Sequence, residues 1–385
     1  MSINTNTLDI RHTIWSWIAR NLTNNVSFKA YFEPLIQLFF PQWRADRFRS
    51  SVIDVRRESD DMYSLVIKPN KQWKGFRAGQ YIELTVEKEG AWVSRFFSIS
   101  SSPRYFNDSG LIEISIRIQE NGQITPWLPQ ALKAGGVVNL SQAEGEFCLA
   151  DSTTISGVTA STPTTKPILM IAGGSGITPF RSMLQQISLN GLAVSKPVSL
   201  MYYARSPEHF LFKEALNTYQ QQVPNLTVNF IDTNELGFFS DAHLLKYCDD
   251  FAIRDIYICG PSPMIMHARK VLQNQNVNQE QIHYEFFGPE PVSLEGSGQA
   301  SSVLFQQSGK QVTTNKDEPK TLLTLAEDAQ LKPLSGCRIG VCHQCICQKK
   351  SGVVYNSKTK TYSDTGQEEI QLCVSVPVAD VVLAL

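Results

Sequence analysis

Cys337, Cys342 and Cys345 lie within nine residues in the stretch GCRIGVCHQC, and Cys373 follows after 27 intervening residues in IQLCVSVP. No other feature constrains the fold as tightly, because a short loop and a distant segment must bring four thiols to one point. Disulfides, structural zinc and iron–sulfur clusters all use clustered cysteines. Eight cysteines in 385 residues are far too few for a disulfide scaffold. The first thirty residues hold no apolar signal core, since Arg11 and Arg20 interrupt it, so a reducing compartment is expected. Zinc sites favour paired C-x2-C knuckles, or one knuckle with histidines. The C-x4-C-x2-C spacing with a remote fourth cysteine is that of a plant-type [2Fe–2S] site. Gly336 and Gly340 let the backbone bend so that N–H groups can face the sulfurs. The alternative is a zinc loop with Cys347 as a local fourth ligand. Cys347 is two residues from Cys345, so on a strand the two share a face, and it reads as a buried bystander. Cys148 and Cys248 read as isolated core thiols.

The length suggests two to three domains. With 42% hydrophobic residues and a net charge of −1, the chain has no basic surplus for nucleic acid. Apolar runs such as LFF at 38–40 are too short to cross a bilayer, so a soluble cytoplasmic protein is expected. Two seams, 152–167 (Ser/Thr/Gly/Pro) and 288–300 (Gly/Pro/Glu), divide the sequence. The expected units are a helical extension at 1–46, a β domain at 47–151, an α/β domain at 168–287 and a last domain at 301–385. No internal repeat is evident.

In the middle unit ILMIA (168–172) reads as a strand buried on both faces, followed by GGSGITP and an amphipathic run. Strand, glycine turn and helix N-terminus together suit a phosphate site, with Thr178 as cap and Pro179 in the first turn; the alternative is a tight strand-to-helix turn. VSLMYYA, LTVNFID, DIYICGPSPM and IHYEFF extend the pattern to a doubly wound parallel sheet. Cys259 falls at the carboxyl end of one strand, where such sheets bind ligands; the alternative is a strand-end core thiol.

The first half alternates as an antiparallel sheet or small barrel. Within it, RFFSISS (95–101) offers charge, ring and hydroxyl on one strand, as a planar anionic ligand would need, although taken alone it reads first as an ordinary barrel strand. NGQITPWLPQAL (121–132) offers a glycine turn, Thr125 as cap, Pro126 at the first helical position and a short helix.

Together these segments resemble the ferredoxin–NADP reductase superfamily with a carboxyl-terminal plant-type ferredoxin domain, over about residues 47–385. The resemblance implies an antiparallel β-barrel FAD domain, an α/β doubly wound NAD(P) domain and a β-grasp ferredoxin domain. RFFS is similar to the flavin motif Arg-x-Tyr-Ser. Arg95 would hold the flavin phosphate, Phe97 would stack on the flavin, and Ser98 would lie near N5, with Ile116 and Ile118 alongside. Phe97 stands where the family has tyrosine, so a hydroxyl contact is lost and weaker flavin binding is expected. GQIT resembles the pyrophosphate turn of FAD members, placing Gly122 and Thr125 there and implying FAD rather than FMN. Gly173, Gly174, Gly176 and Thr178, with Cys259, Gly260, Pro261 and Met264, match the nicotinamide motifs. Ser98, Thr178 and Cys259 are the implied catalytic residues, and Cys337, Cys342, Cys345 and Cys373 the implied metal ligands. Arg205 and Ser206 after the second α/β strand, where an NAD site places an acid, favour NADPH over NADH.

The resemblance implies a hydride entering from NAD(P)H and single electrons leaving through the cluster, because a flavin accepts two electrons and releases them singly. Nine Lys/Arg against eight Asp/Glu over 301–385 give the ferredoxin domain no strong acidity, as suits a tethered carrier. Three acceptor readings stand. The carboxyl-terminal run and PLIQLFFPQW (34–43) resemble bacterial reductases that serve acyl-CoA desaturases. A reductase component of an aromatic-ring or other hydroxylating oxygenase is the second, and a non-catalytic flavin/[2Fe–2S] redox sensor the third. Residues 1–45 are aromatic-rich, and eight Lys/Arg face four Asp/Glu over 1–57. That composition suits a lipid headgroup region or a membrane-bound partner. The alternative is a cover over the barrel or the flavin's adenosine end.

Overall fold

The computed structural model describes residues 47–88, 91–119, 124–149, 166–189, 196–287, 301–314, 319–336, 338, 340 and 344–385. The extension at 1–46, the seam at 288–300, most of 152–167, Gly122, Cys337 and Cys342 lie outside the described residues.

The first unit is a six-stranded antiparallel sheet in the order β4-β3-β6-β1-β2-β5. Its strands are β1 (Phe48–Ser59), β2 (Met62–Lys68), β3 (Tyr81–Lys88), β4 (Ala91–Ser98), β5 (Ile112–Arg117) and β6 (Val137–Leu140). The Ile99–Ile114 bridge and the Ser100 N–H to Glu113 carbonyl bond join the two edges into a barrel. Strand periodicity sends Ile112, Ile114 and Ile116 into the barrel core with Ile82, Leu84 and Leu140. The opposite face of β5 is also covered, so Glu113 and Ser115 are buried and must be paired. Ser115 Oγ meets Ser64 Oγ and Ser100 Oγ, each at 2.8 Å, and Glu113 forms ion pairs with Arg56 and Arg181. Two short helices complete the unit, α1 (Pro103–Ser109), capped by Ser102, and α2 (Leu128–Ala131).

The cover over β5 is the second unit. A parallel sheet in the order β11-β10-β7-β8-β9 comprises β7 (Ile168–Gly173), β8 (Val198–Ala204), β9 (Leu226–Asp232), β10 (Asp255–Gly260) and β11 (Ile282–Phe286). Along β7, Ile168, Met170 and Ala172 enter one core and Leu169 and Ile171 the other, which explains the unbroken apolar run. The helices are α3 (Ile177–Leu189), α4 (Lys213–Gln222), α5 (Thr233–Leu236), α6 (Asp241–Tyr247) and α7 (Ser262–Asn274). The chain reverses its strand order between β7 and β10, which sets the ligand crevice at their carboxyl ends. Helix α3 is keyed to the barrel segment just after β4. Ser182 Oγ donates to the Ser101 carbonyl at 2.6 Å, and Gln185 Oε1 accepts from Ser102 N–H at 2.6 Å.

The third unit pairs β13 (Lys310–Thr313), β12 (Ser302–Phe305), β19 (Val381–Leu383), β14 (Ile346–Ser351) and β17 (Glu368–Gln371) in that order. Strands β15 (Val354–Asn356), β16 (Thr361–Tyr362) and β18 (Ser375–Pro377) make a second small sheet, and α8 (Leu322–Asp328) packs into the same core. Helix on mixed sheet is the expected α+β arrangement. Its core is small, and one polar staple crosses it. Lys349 is fully buried, and its ammonium donates to the Gly352, Asp364 and Gly366 carbonyls at 2.9, 2.7 and 2.6 Å, with Glu368 at 3.4 Å.

Two local expectations need correction. Thr178 does not cap α3: a 3-10 turn at Gly174–Gly176 leads into the helix, and Thr178 sits inside its first turn, its hydroxyl donating to the Ser175 carbonyl at 3.1 Å. Thr125 does not cap α2 either. The helix starts at Leu128, and Thr125 Oγ1 accepts from Gln119 N–H at 3.0 Å, which closes the turn instead.

Candidate active site and cluster loop

The crevice at the ends of β7 and β10 is built by contact between two turns. A Cβ on Gly176 would lie 2.2 Å from the Cys259 carbonyl oxygen, and one on Gly173 would lie 2.3 Å from Met264 Sδ. Any side chain at Gly176 would force the two strand ends apart. Gly174 takes a left-handed φ of 54° and faces the barrel, where Arg117 Nη1 lies 3.3 Å from the position of an added Cβ. Arg117 Nε is paired with Asp61 at 2.9 Å. The glycine cradle, the first turn of α3, and Pro261 and Met264 at the start of α7 thus frame one anion-accepting end, with a guanidinium supplied from the other domain. Sequence reading missed Arg117, whose strand position gave no sign of this approach.

Ser98, Glu285 and Cys259 converge beside it. Ser98 ends β4, and its Oγ lies 3.5 Å from Glu285 Oε2. Cys259 pairs with Glu285 across the β10–β11 ladder and is fully buried. Burial pushes the Glu285 carboxyl up to about 8, with Ser98 pulling in the opposite direction. Burial also holds the Cys259 thiol well above its ordinary value, and the neighbouring Glu285 adds to that. At neutral pH this corner therefore presents a hydroxyl, a protonated carboxyl and a neutral thiol. Glu285 was the second residue missed; its signal was a lone acid inside the apolar strand IHYEFF.

Arg95 and Phe97 alternate with Ser98 on β4, so they occupy the other face, Phe97 packing against the barrel core. Ile116 is a core side chain, and the Ile118 N–H is used by the Asp61 carbonyl at 2.7 Å. Tyr63 Oη donates to the Thr125 carbonyl at 3.2 Å. Arg205 is exposed just past β8. Ser206 Oγ contacts His209 Nδ1 at 2.6 Å and, as the leading cause, holds the Glu208 carboxyl below its ordinary value.

Of the four expected cluster ligands, Cys345 and Cys373 are described. Both are buried, and their segments are joined by the Leu372 N–H to Cys345 carbonyl bond at 3.0 Å. Two donors converge on the Gly340 carbonyl, Lys358 Nζ at 2.8 Å and Gln371 Nε2 at 3.4 Å. Gly340 has φ 72°, and a Cβ there would meet Val374 Cγ1 at 2.8 Å. Cys347 turns into the domain core with its Sγ 3.8 Å from the Ala384 carbonyl. Cys248 is a core thiol, whereas Cys148 is only half-buried. Arg95 Nη1 donates to the Ser335 carbonyl at 3.3 Å, so β4 reaches the segment just before Cys337.

Residues 50–148 match the oxidoreductase FAD-binding domain, 170–270 the oxidoreductase NAD-binding domain and 305–378 the 2Fe-2S iron-sulfur cluster binding domain. The chain is a ferredoxin reductase-type oxidoreductase. The third match decides for iron–sulfur over zinc in the last domain. An NADPH oxidoreductase of Mycobacterium tuberculosis is 26% identical, over 97% of this chain and 93% of its own. The ferredoxin reductase component of 3-ketosteroid-9-alpha-monooxygenase from the same species is 28% identical, over 87% of this reductase and 90% of its own chain. The glycine betaine monooxygenase reductase subunit of Pseudomonas aeruginosa is 26% identical, over 80% and 87%. The fold of the reductase is that of phthalate dioxygenase reductase, with a TM-score of 0.56 at 22% identity over 88% and 98% of the chains. Among the described residues no helix is long and apolar enough to cross a membrane.

Proposed function

We propose that the reductase takes a hydride from NADPH and delivers electrons, through FAD and the [2Fe–2S] centre, to an oxygen-activating enzyme. The observation that carries this reading is the meeting of Ser98, Glu285 and Cys259 beside the glycine cradle, on a chain whose flavin-binding strand also touches the cluster domain. FAD links the two-electron donor to the one-electron cluster. The chain's own residues do the positioning. The Gly173–Gly176 turn and Arg117 hold the dinucleotide phosphates. Arg205 and Ser206 bind the 2′-phosphate. Cys259 packs against the nicotinamide, and Ser98 with protonated Glu285 donates hydrogen bonds at the reacting edge. Arg95, Phe97 and the Thr125 turn hold the flavin. Cys337, Cys342, Cys345 and Cys373 ligate the cluster.

For the acceptor, the sequence resemblance supports a membrane fatty-acyl desaturase. The match to the M. tuberculosis NADPH oxidoreductase leaves out only 3% of the chain, so it takes in most of the first 46 residues. We assign those residues to docking at the membrane or on the acceptor. A hydroxylating oxygenase is the second reading, favoured by the two monooxygenase reductase relatives. A redox sensor would not turn over, so rapid NADPH-dependent cytochrome c reduction excludes it. Deletion of residues 1–46 tests docking: cytochrome c reduction should persist while desaturation on membranes falls. Full coupling by the truncated form removes the docking role. A strain lacking the protein with unchanged fatty-acid unsaturation removes the desaturase and leaves the hydroxylating oxygenase.

A further inference from the structure

The face of β5 opposite the barrel core carries Glu113, Ser115 and Arg117. The second unit meets this face at two points. At one, Arg117 Nη1 approaches Gly174, 3.3 Å from the position of an added Cβ. At the other, Glu113 forms an ion pair with Arg181, one turn into α3. The Arg181 and Glu113 side chains are only 12% and 6% exposed. Between the two points Ser115 Oγ meets Ser100 Oγ at 2.8 Å, and Arg181 Nη1 reaches the same Ser100 Oγ at 3.4 Å. Next to Arg181 on α3, Ser182 and Gln185 hold Ser101 and Ser102, and Gln186 Oε1 accepts from Arg104 N–H at 2.8 Å. The barrel segment so held starts two residues after Ser98, at the end of β4.

The Arg181–Glu113 pair is a costly way to join two domains, since apolar side chains of similar volume hold buried faces together at least as well. Arg181 Nε has no hydrogen-bond partner among the described residues. Phe212, whose ring centre lies 4.3 Å from the guanidinium, takes a left-handed φ of 58°, unusual for a bulky side chain. Directional ionic contacts supply what apolar packing does not, which is register. Glu113 is already aimed by its own domain, because Arg56 pairs with its second oxygen. We propose that Arg181 and Glu113 are positioning residues for the hydride step: their ion pair sets α3, and with it the dinucleotide cradle, in register with Ser98 and the flavin strand. This rests on the hydride route proposed above. In that step a C–H bond of NADPH breaks, and its hydrogen passes with both electrons to the flavin, leaving NADP+. The pair lies one turn along α3 from the cradle, so it acts through the helix rather than by touching the dinucleotide.

The test uses full-length holoprotein in anaerobic stopped-flow with NADPH. In Arg181→Met the limiting rate of flavin bleaching should fall about tenfold, because a small misplacement of reacting groups is enough for that. The NADPH concentration giving half that rate should not change. The long-wavelength absorbance that reports nicotinamide stacked on flavin should weaken, and hydrogen exchange should rise over residues 99–104. Arg181→Lys keeps the charge but lacks the fork that reaches both Glu113 and Ser100, so its rate should lie between the two. Arg181→Met with Glu113→Met should regain the melting temperature of the wild type without regaining its rate, which separates register from stability. A wild-type limiting rate in Arg181→Met or Arg181→Lys, a loss confined to NADPH affinity, or a double variant that regains the rate overturns the proposal. A wild-type flavin that NADPH never bleaches overturns the hydride route itself.

Discussion

In the nicotinamide domain five parallel strands, covered on both faces, press two glycine turns together until no Cβ fits between Gly176 and Cys259. In the iron–sulfur domain short strands hold the ligand segments around a small core, stapled by one buried ammonium on three carbonyls. The first site is shaped by backbone at the end of a large sheet and needs few polar supports. The second belongs to a thin domain whose described loops are fixed by Lys349, Lys358 and Gln371. Single substitutions should therefore act differently in the two: steric intrusion should break the first, and loss of one hydrogen-bonding cation should loosen the second.

The largest effect should come from Gly176→Val. Its side chain would run into the Cys259 and Gly260 backbone, which cannot rotate away, at a cost of about 3 kcal/mol or more. Flavin reduction by NADPH should fall at least tenfold while iron content stays normal, which rapid kinetics and metal analysis can read. Normal kinetics would show that the turns do not need their close contact.

Lys349→Met should come next, and in the other domain. It strands buried carbonyls and part of Glu368, costing about 2–3 kcal/mol. Hydrogen exchange should rise over residues 352–366, and NADPH should still bleach the flavin. Unchanged exchange would mean that the loop holds itself.

Glu285 sharpens the comparison through pH. Its folded pKa of about 8 is raised above the ordinary 4.5, so the folded state binds the extra proton between those values. That contribution is fully present below about 4.5 and is lost as pH rises through about 8. Glu285→Gln should flatten the corresponding slope in thermal stability over that window. An unchanged slope would show that Glu285 ionises normally. The smallest effect is expected at exposed Arg205, where alanine should cut the NADPH over NADH preference several-fold, about 1 kcal/mol. An unaltered preference would remove Arg205 from the 2′-phosphate site.

The same contrast governs what could be read from the residues. Continuous apolar runs in β7, β8 and β10 announced a sheet buried on both faces, and the cysteine spacing announced the cluster domain. The α3 and α2 caps were misplaced because the Thr178 hydroxyl, already inside α3, bonds back to the 3-10 turn, and the Thr125 hydroxyl closes a turn before α2 begins. Arg117 and Glu285 could not be placed from local pattern, since each gains its setting from a neighbouring unit: the glycine turn approaches Arg117, and Ser98 approaches Glu285. Lys349 likewise gains its burial from its setting, since β14 lies between β19 and β17 inside its sheet.

The account stands on one route from NADPH through flavin to a four-cysteine cluster, and Cys373→Ser tests it most directly. Wild-type protein should carry about two irons per chain and show a paramagnetic [2Fe–2S] signal after anaerobic addition of NADPH. In Cys373→Ser the flavin should still bleach at the wild-type rate, while the signal disappears and cytochrome c reduction falls with it; Cys347→Ser should keep both. Retention of the signal in Cys373→Ser, or zinc in place of iron in the wild type, would contradict the account.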